Sequence, residues 1–134
     1  MTENRLRVNL DISHWSVACE RLLDQSDEDM QLLERIFPFV HHIHSRIGTT
    51  QSSQCPDPSD PIYQPEVQCF ENIWRRVILT QVERDGPNAI ITFVPEWGPY
   101  PYHPRGSVRE FSEVADTEGA RQQGLFERIC NIAP

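Results

Sequence analysis

A chain of 134 residues fits one domain with room for a moderate core. Its net charge of −8 and lack of a basic stripe would repel a phosphate backbone, which argues against nucleic-acid binding. All 12 basic residues are arginine, and the lack of lysine excludes a Schiff-base lysine, a pyridoxal-phosphate anchor and a P-loop.

No apolar run approaches the ~18 residues of a membrane span, and the start Met1-Thr2-Glu3-Asn4-Arg5 has no signal-peptide core. A soluble, cytoplasmic protein without a membrane partner is expected. Cys19, Cys55, Cys69 and Cys130 are widely spaced, with no C-x-x-C pair. Buried or incidental thiols are expected, not disulfides.

The elements alternate strand and helix. Residues 6–11 read as a strand, followed by helical pieces at 15–24 and 28–37 around the turn Gln25-Ser26-Asp27. Residues 40–46 form a second strand, and the Ser-, Pro-, Asp- and Gln-rich stretch 49–65 a long loop. Over 66–84, Phe70, Ile73, Trp74, Val77 and Ile78 follow the i, i+3, i+4, i+7, i+8 spacing of an amphipathic helix. Gly86-Pro87 ends that helix, and 89–95 form a third strand rich in β-branched residues. A Pro/Gly/Tyr loop spans 97–106. The last helical stretch, 107–130, carries Gly119 and Gly124 and is expected to break into two pieces. Three successive βα units imply an α/β fold with parallel strands.

Each strand runs into a polar side chain suited to a metal ion: Asp11, His44 and Glu96. In a parallel sheet these ends lie along one edge, so two carboxylates and one imidazole converge. Such a set suits Mn²⁺, Mg²⁺, Co²⁺ or Zn²⁺. His42, His44 and Arg46 alternate and share one strand face, with His41 on the other. Three polar groups on a buried face are costly without partners; an edge strand with a solvated face is the competing reading. Asp11 is also a good helix N-cap, although Ser13 is an equally good one and would free Asp11 for another role. Glu96 stands either as a ligand or as a solvated turn residue. Trp15, Trp97, Tyr100 and Tyr102 offer the walls of a polyol pocket, or local packing.

At these residues the chain resembles the xylose isomerase-like TIM-barrel superfamily, in its sugar phosphate isomerase/epimerase group. The resemblance rests on Asn9-Leu10-Asp11-Ile12-Ser13-His14-Trp15, on His42-Ile43-His44-Ser45-Arg46-Ile47-Gly48, on the Gln51 to Pro61 loop with Gln54, Asp57 and Pro58, and on Pro95-Glu96-Trp97-Gly98-Pro99-Tyr100-Pro101-Tyr102. It implies that residues 1–134 form the last three βα units of a (β/α)₈ barrel, which as a whole takes ~250 residues. It implies Asp11, His44 and Glu96 as metal ligands, with His14 and Arg46, together with Trp15 and Trp97, at the substrate. Glu96 resembles the second of two glutamates that bind the metal and exchange a proton beside a sugar carbonyl. The strand bearing the first glutamate has no counterpart here, and Glu3 is too early to replace it.

The expectation is therefore a divalent-metal-dependent sugar (phosphate) isomerase or epimerase relative, in a truncated or inactive form. It would take a sugar or polyol-like substrate and be prone to self-association through exposed sheet edges. A non-catalytic metal-binding or association remnant is the alternative. Apurinic endonuclease chemistry fits less well, because it needs more ligands and a DNA-binding surface.

Overall fold

A computed structural model describes residues 6–132, so Glu3 lies outside the described residues. The fold is α/β. Its sheet contains β1 (Val8–Asp11), β2 (Val40–His44) and β3 (Phe93–Val94), all parallel and adjacent in chain order. The helices are α1 (Ile12–Cys19), α2 (Asp27–Ile36), α3 (Gln64–Asp85) and α4 (Phe111–Ile132). Among the described residues no helix is long and apolar enough to cross a membrane.

The amphipathic spacing seen in the sequence sets the core. Val67, Phe70, Ile73, Trp74, Val77 and Ile78 of α3 are buried, as are Val114, Leu125, Phe126 and Ile129 of α4. Trp74 packs edge-on against Phe70 and Phe126, and Phe93 of β3 packs edge-on against Phe126, a geometry favoured by the ring quadrupoles. Leu10, Val40 and Ile43 face the same core from the sheet. Two glutamines enter this apolar layer, each donating to a β2-segment carbonyl: Gln81 to Val40 O at 2.9 Å and Gln122 to Ser45 O at 2.9 Å. Buried amides are tolerated when so bonded. All four cysteines are free thiols, and burial pushes those of Cys55 and Cys69 up to about 12.

Three sequence expectations are corrected. The first helical piece starts earlier and is shorter than 15–24, because Glu20 adopts a left-handed conformation (φ 53°) and closes α1. The last helix is one continuous piece from Phe111, not two. At Gly119 an added Cβ would meet Pro95 Cγ at 3.4 Å, an ordinary van der Waals contact, so α4 packs beside the end of β3 here without requiring a glycine. Burial of one α4 face outweighs the roughly 1 kcal/mol that a helical glycine costs.

The third strand is also shorter than 89–95. The β1–β2 register slips between Val8↔Val40 and Asn9↔His42, so His41 is an extra residue in β2. This bulge reverses parity and lets both Val40 and Ile43 face the core. Regular pairing to β3 begins past it, at Ile43↔Phe93. At the bulge the Thr92 side chain extends the pairing, donating from Oγ1 to His41 O at 3.3 Å, while its carbonyl accepts from Ile43 N at 3.1 Å.

The other sheet face is polar. Beyond the bulge, Asn9 and Asp11, His42 and His44, and Thr92, Val94 and Glu96 follow the two-residue period of the strands. Asn9, Thr92, Val94 and Glu96 are exposed there.

Candidate metal centre

Asp11 and His44 are Cα partners across β1 and β2, and His44 is paired in turn with Val94. Glu96 lies two residues beyond Val94 and so shares its face. Trp97 N–H donates to Pro95 O at 2.8 Å, a γ-turn centred on Glu96 that bends the chain as the strand ends. Asp11, His44 and Glu96 each bring one donor atom into a cluster whose members lie within 4.8 Å of one another.

The separations suit a cation. His44 Nδ1 is 2.9 Å from Glu96 Oε2 and 3.6 Å from Asp11 Oδ2. Ligand atoms bonded to one ion at ~2.1 Å are about 3.0–3.4 Å apart in octahedral or tetrahedral arrangements. The two carboxylates and one imidazole are ligands for Mn²⁺, Mg²⁺, Co²⁺ or Zn²⁺.

Asp11 resolves the capping question in an unforeseen way. It is the N-cap of α1: Oδ1 accepts from Ser13 N at 3.0 Å and from Ser13 Oγ at 2.5 Å. Ser13 is therefore not an alternative cap; it serves Asp11. The other oxygen, Oδ2, is buried with no hydrogen-bond partner and is the one facing His44. One carboxylate thus divides its oxygens between helix and cluster. An unpartnered buried anionic oxygen is costly, and a cation at this point would satisfy it.

Arg46 lies beside the cluster, 3% exposed. It donates from Nη1 to Glu96 O at 3.3 Å, and its Nη2 lies 3.5 Å from Ser13 Oγ and 3.3 Å from His14 Nε2. Its guanidinium carbon stands 5.3 Å from the Tyr102 ring centroid. Nε is buried without a partner, and no carboxylate among the described residues pairs with the guanidinium. His14 Nε2 is also 3.5 Å from Asp11 Oδ2, a contact that as a hydrogen bond would need the ring hydrogen on Nε2. The nearer neighbour of that nitrogen is the Arg46 donor, so Nε2 acts as an acceptor and leaves Asp11 Oδ2 free.

The remaining predicted site residues separate. Trp15 is 38% exposed, whereas Trp97 is 6% exposed within the core and donates its indole N–H to Cys55 O at 2.9 Å. Tyr100 and Tyr102 are both exposed; Tyr100 stacks on Arg105. His42 and His44 meet edge-on at 5.5 Å, on one face as the alternation required. His42 Nδ1 lies 2.9 Å from Thr92 Oγ1.

Three supporting residues escaped the sequence reading of the centre. Asn9 Nδ2 is 2.9 Å from His44 Nε2. Gln54, 1% exposed, holds the loop after Glu96: Gly98 N donates to its Oε1 at 2.8 Å, and its Nε2 donates to Gly98 O at 3.0 Å. Thr92 orients His42. Asn9 was legible as the residue preceding Asp11 on the same strand face; nothing in the sequence marks the partner of Gln54. The chain matches no protein-family profile, no curated protein and no solved structure.

Proposed function

We propose that this chain binds a divalent cation through Asp11, His44 and Glu96, and that it is a sugar (phosphate) isomerase/epimerase-like protein of the xylose isomerase-like type. On this reading its three βα units are the C-terminal part of a (β/α)₈ barrel, and its substrate is a sugar or polyol carbonyl compound. The observation that carries the cation site is the convergence of three donor atoms at the ends of three parallel strands, one of them the buried, unpartnered Asp11 Oδ2.

A bound cation would polarise the substrate carbonyl and acidify the neighbouring carbon. Glu96 supplies the carboxylate that takes that proton: its side chain is 47% exposed, against 13% for Asp11, so it is the more accessible of the two acids to a ligand arriving from solvent. By the resemblance His14 and Arg46 would contact substrate oxygens; His14 is exposed, and Arg46, held against Glu96 O and His14, lies buried behind it.

A second reading, a cation-binding protein without catalysis, is favoured by one observation. Among the described residues no fourth His, Cys, Asp or Glu joins the cluster, so no second carboxylate is in place to return a proton on the opposite face. Calorimetric titration with Mn²⁺ tests the site itself. Wild type is expected to bind and His44→Ala to lose binding; an unchanged isotherm for the variant sinks the proposal. Solvent-deuterium incorporation into a panel of ketoses separates the two readings, since only the isomerase exchanges the carbon-bound proton.

A further inference from the structure

We infer that Asn9 is the positioning residue that sets the tautomer of His44, and that its amide turns over when a cation enters. The inference rests on the proposed cation site and goes beyond it, to the group that makes His44 Nδ1 available as a ligand atom.

His44 has one nitrogen on each side of the question. Nδ1 faces the cluster, 2.9 Å from Glu96 Oε2 and 3.6 Å from Asp11 Oδ2. Nε2 faces away from it, 2.9 Å from Asn9 Nδ2. Because an amide nitrogen only donates, Nε2 accepts from Asn9, and the ring hydrogen sits on Nδ1, where it donates to Glu96. That tautomer cannot ligate a metal through Nδ1. Ligation requires the hydrogen to be on Nε2, and Nε2–H then needs an acceptor where the Asn9 amide nitrogen stands.

Asparagine meets both demands from one place. A half-turn of its amide exchanges NH₂ for oxygen at nearly the same point, so Asn9 is donor to the metal-free ring and acceptor to the ligating one. The backbone keeps it in reach. Asn9 and Asp11 lie on one face of β1, and the register Asn9↔His42, Asp11↔His44 puts Asn9 diagonally opposite His44. Metal-bound histidines generally hand their second N–H to such a partner, and its removal costs about 10- to 100-fold in metal affinity.

Calorimetric titration of the full chain with Mn²⁺ gives the first readout. Asn9→Ala is expected to bind about 10- to 100-fold more weakly than wild type. Asn9→Asp, which can only accept from Nε2–H, is expected to recover the affinity lost in Asn9→Ala. Asn9 is exposed, so neither change opens the core. The second readout is the ¹⁵N signature of His44 in ¹⁵N-histidine-labelled protein, with diamagnetic Zn²⁺ as the ion. The hydrogen is expected on Nδ1 in the metal-free wild type and on Nε2 after loading, with the metal-free preference for Nδ1 weakened in Asn9→Ala. Wild-type affinity in Asn9→Ala, or an Nε2–H ring in the metal-free wild type, overturns the role of Asn9 and leaves the cation site standing. Absence of any Mn²⁺ isotherm from wild type overturns the cation site, and this inference with it.

Discussion

Replacing Asp11 with asparagine separates the two roles of this side chain. The structure gives the terms. Oδ1 receives Ser13 N at 3.0 Å and Ser13 Oγ at 2.5 Å, and an amide oxygen can accept both, so the cap of α1 survives. What the cap loses is its charge, about 1 kcal/mol across two hydrogen bonds and about 0.5 kcal/mol at the helix N-terminus. Oδ2 is buried without a partner, a condition that costs about 1–3 kcal/mol. In the variant an NH₂ group takes its place, 3.5 Å from the acceptor His14 Nε2, and that cost is relieved. The opposing contributions nearly cancel, so metal-free Asp11→Asn is expected to match wild type within about 1 kcal/mol and to lie on the stable side. Cation response then distinguishes them. Ligand at a hundred times its Kd stabilises wild type by about 2.7 kcal/mol, which raises the melting temperature by roughly 10 °C in a chain of this size. Asp11→Asn is expected to show no such rise. Differential scanning calorimetry with and without Mn²⁺ reads both quantities. A variant that melts well below wild type yet still responds to Mn²⁺ would show that the charge of Asp11 serves the fold and not a cation.

Two further outcomes follow from contacts elsewhere. Gln54→Ala removes both hydrogen bonds to the Gly98 peptide, so urea titration should show a loss of about 2 kcal/mol, and Mn²⁺ binding should weaken because Glu96 stands two residues away. Arg21 grips Asp29 with Nε to Oδ2 at 2.6 Å and Nη2 to Oδ1 at 2.8 Å, and these bonds hold the Asp29 carboxyl below its ordinary range, against the opposing effect of burial. A carboxyl depressed by folding adds stability that is full above its unfolded value of ~3.9 and is lost as pH falls through the folded value. Arg21→Gln should therefore flatten the stability profile below about pH 4, and profiles that superimpose across that range would remove the pair from the acid response.

The parts of this chain legible in its sequence are those governed by period. The i, i+3, i+4 series from Phe70 to Ile78 located α3 to within two residues at the start, and its interior face is the face that is buried. The turn read at Gln25-Ser26-Asp27 lies where α2 begins, one residue before the expected start, with Ser26 as its cap ahead of an acidic first turn. Strand ends also brought Asp11, His44 and Glu96 together, because parallel pairing leaves the ends of neighbouring strands side by side. What could not be read is decided by pairing between strands. The His41 bulge is invisible in Val40-His41-His42-Ile43, yet it determines which of these residues face the core and where β3 can begin. The Gln54 clasp on Gly98 depends on where a second segment lies in space, and no local pattern records that, whereas the Asp11 cap is a local contact with Ser13 that the sequence did offer.

The charged atoms that are buried without partners make a final distinction. Among the described residues they are Asp11 Oδ2, Arg46 Nε and Glu66 Oε2. Glu66 stands in the first turn of α3, where the helix N-terminus favours a carboxylate, so its charge has a structural reason. Asp11 has a structural reason too, as the N-cap of α1, but it accounts for only part of the carboxylate, and Arg46 has no such reason. The cap of α1 occupies only one oxygen of Asp11, and a neutral side chain of similar shape would fill the place of Arg46 without the cost of burying a charge. Yet a buried anion and a buried cation, both incompletely partnered, lie close enough to share His14 as a neighbour. They do not neutralise each other: no ion pair joins them within 4.0 Å among the described residues. Beyond the contacts they make within the fold, two such charges kept apart retain capacity for ligands, the carboxylate for a cation and the guanidinium for an electron-rich oxygen. A polarised carbonyl compound beside a metal ion presents that combination, and a bare cation satisfies only half of it. Arg46, more than the metal ligands themselves, therefore favours a substrate-handling centre over a simple cation trap.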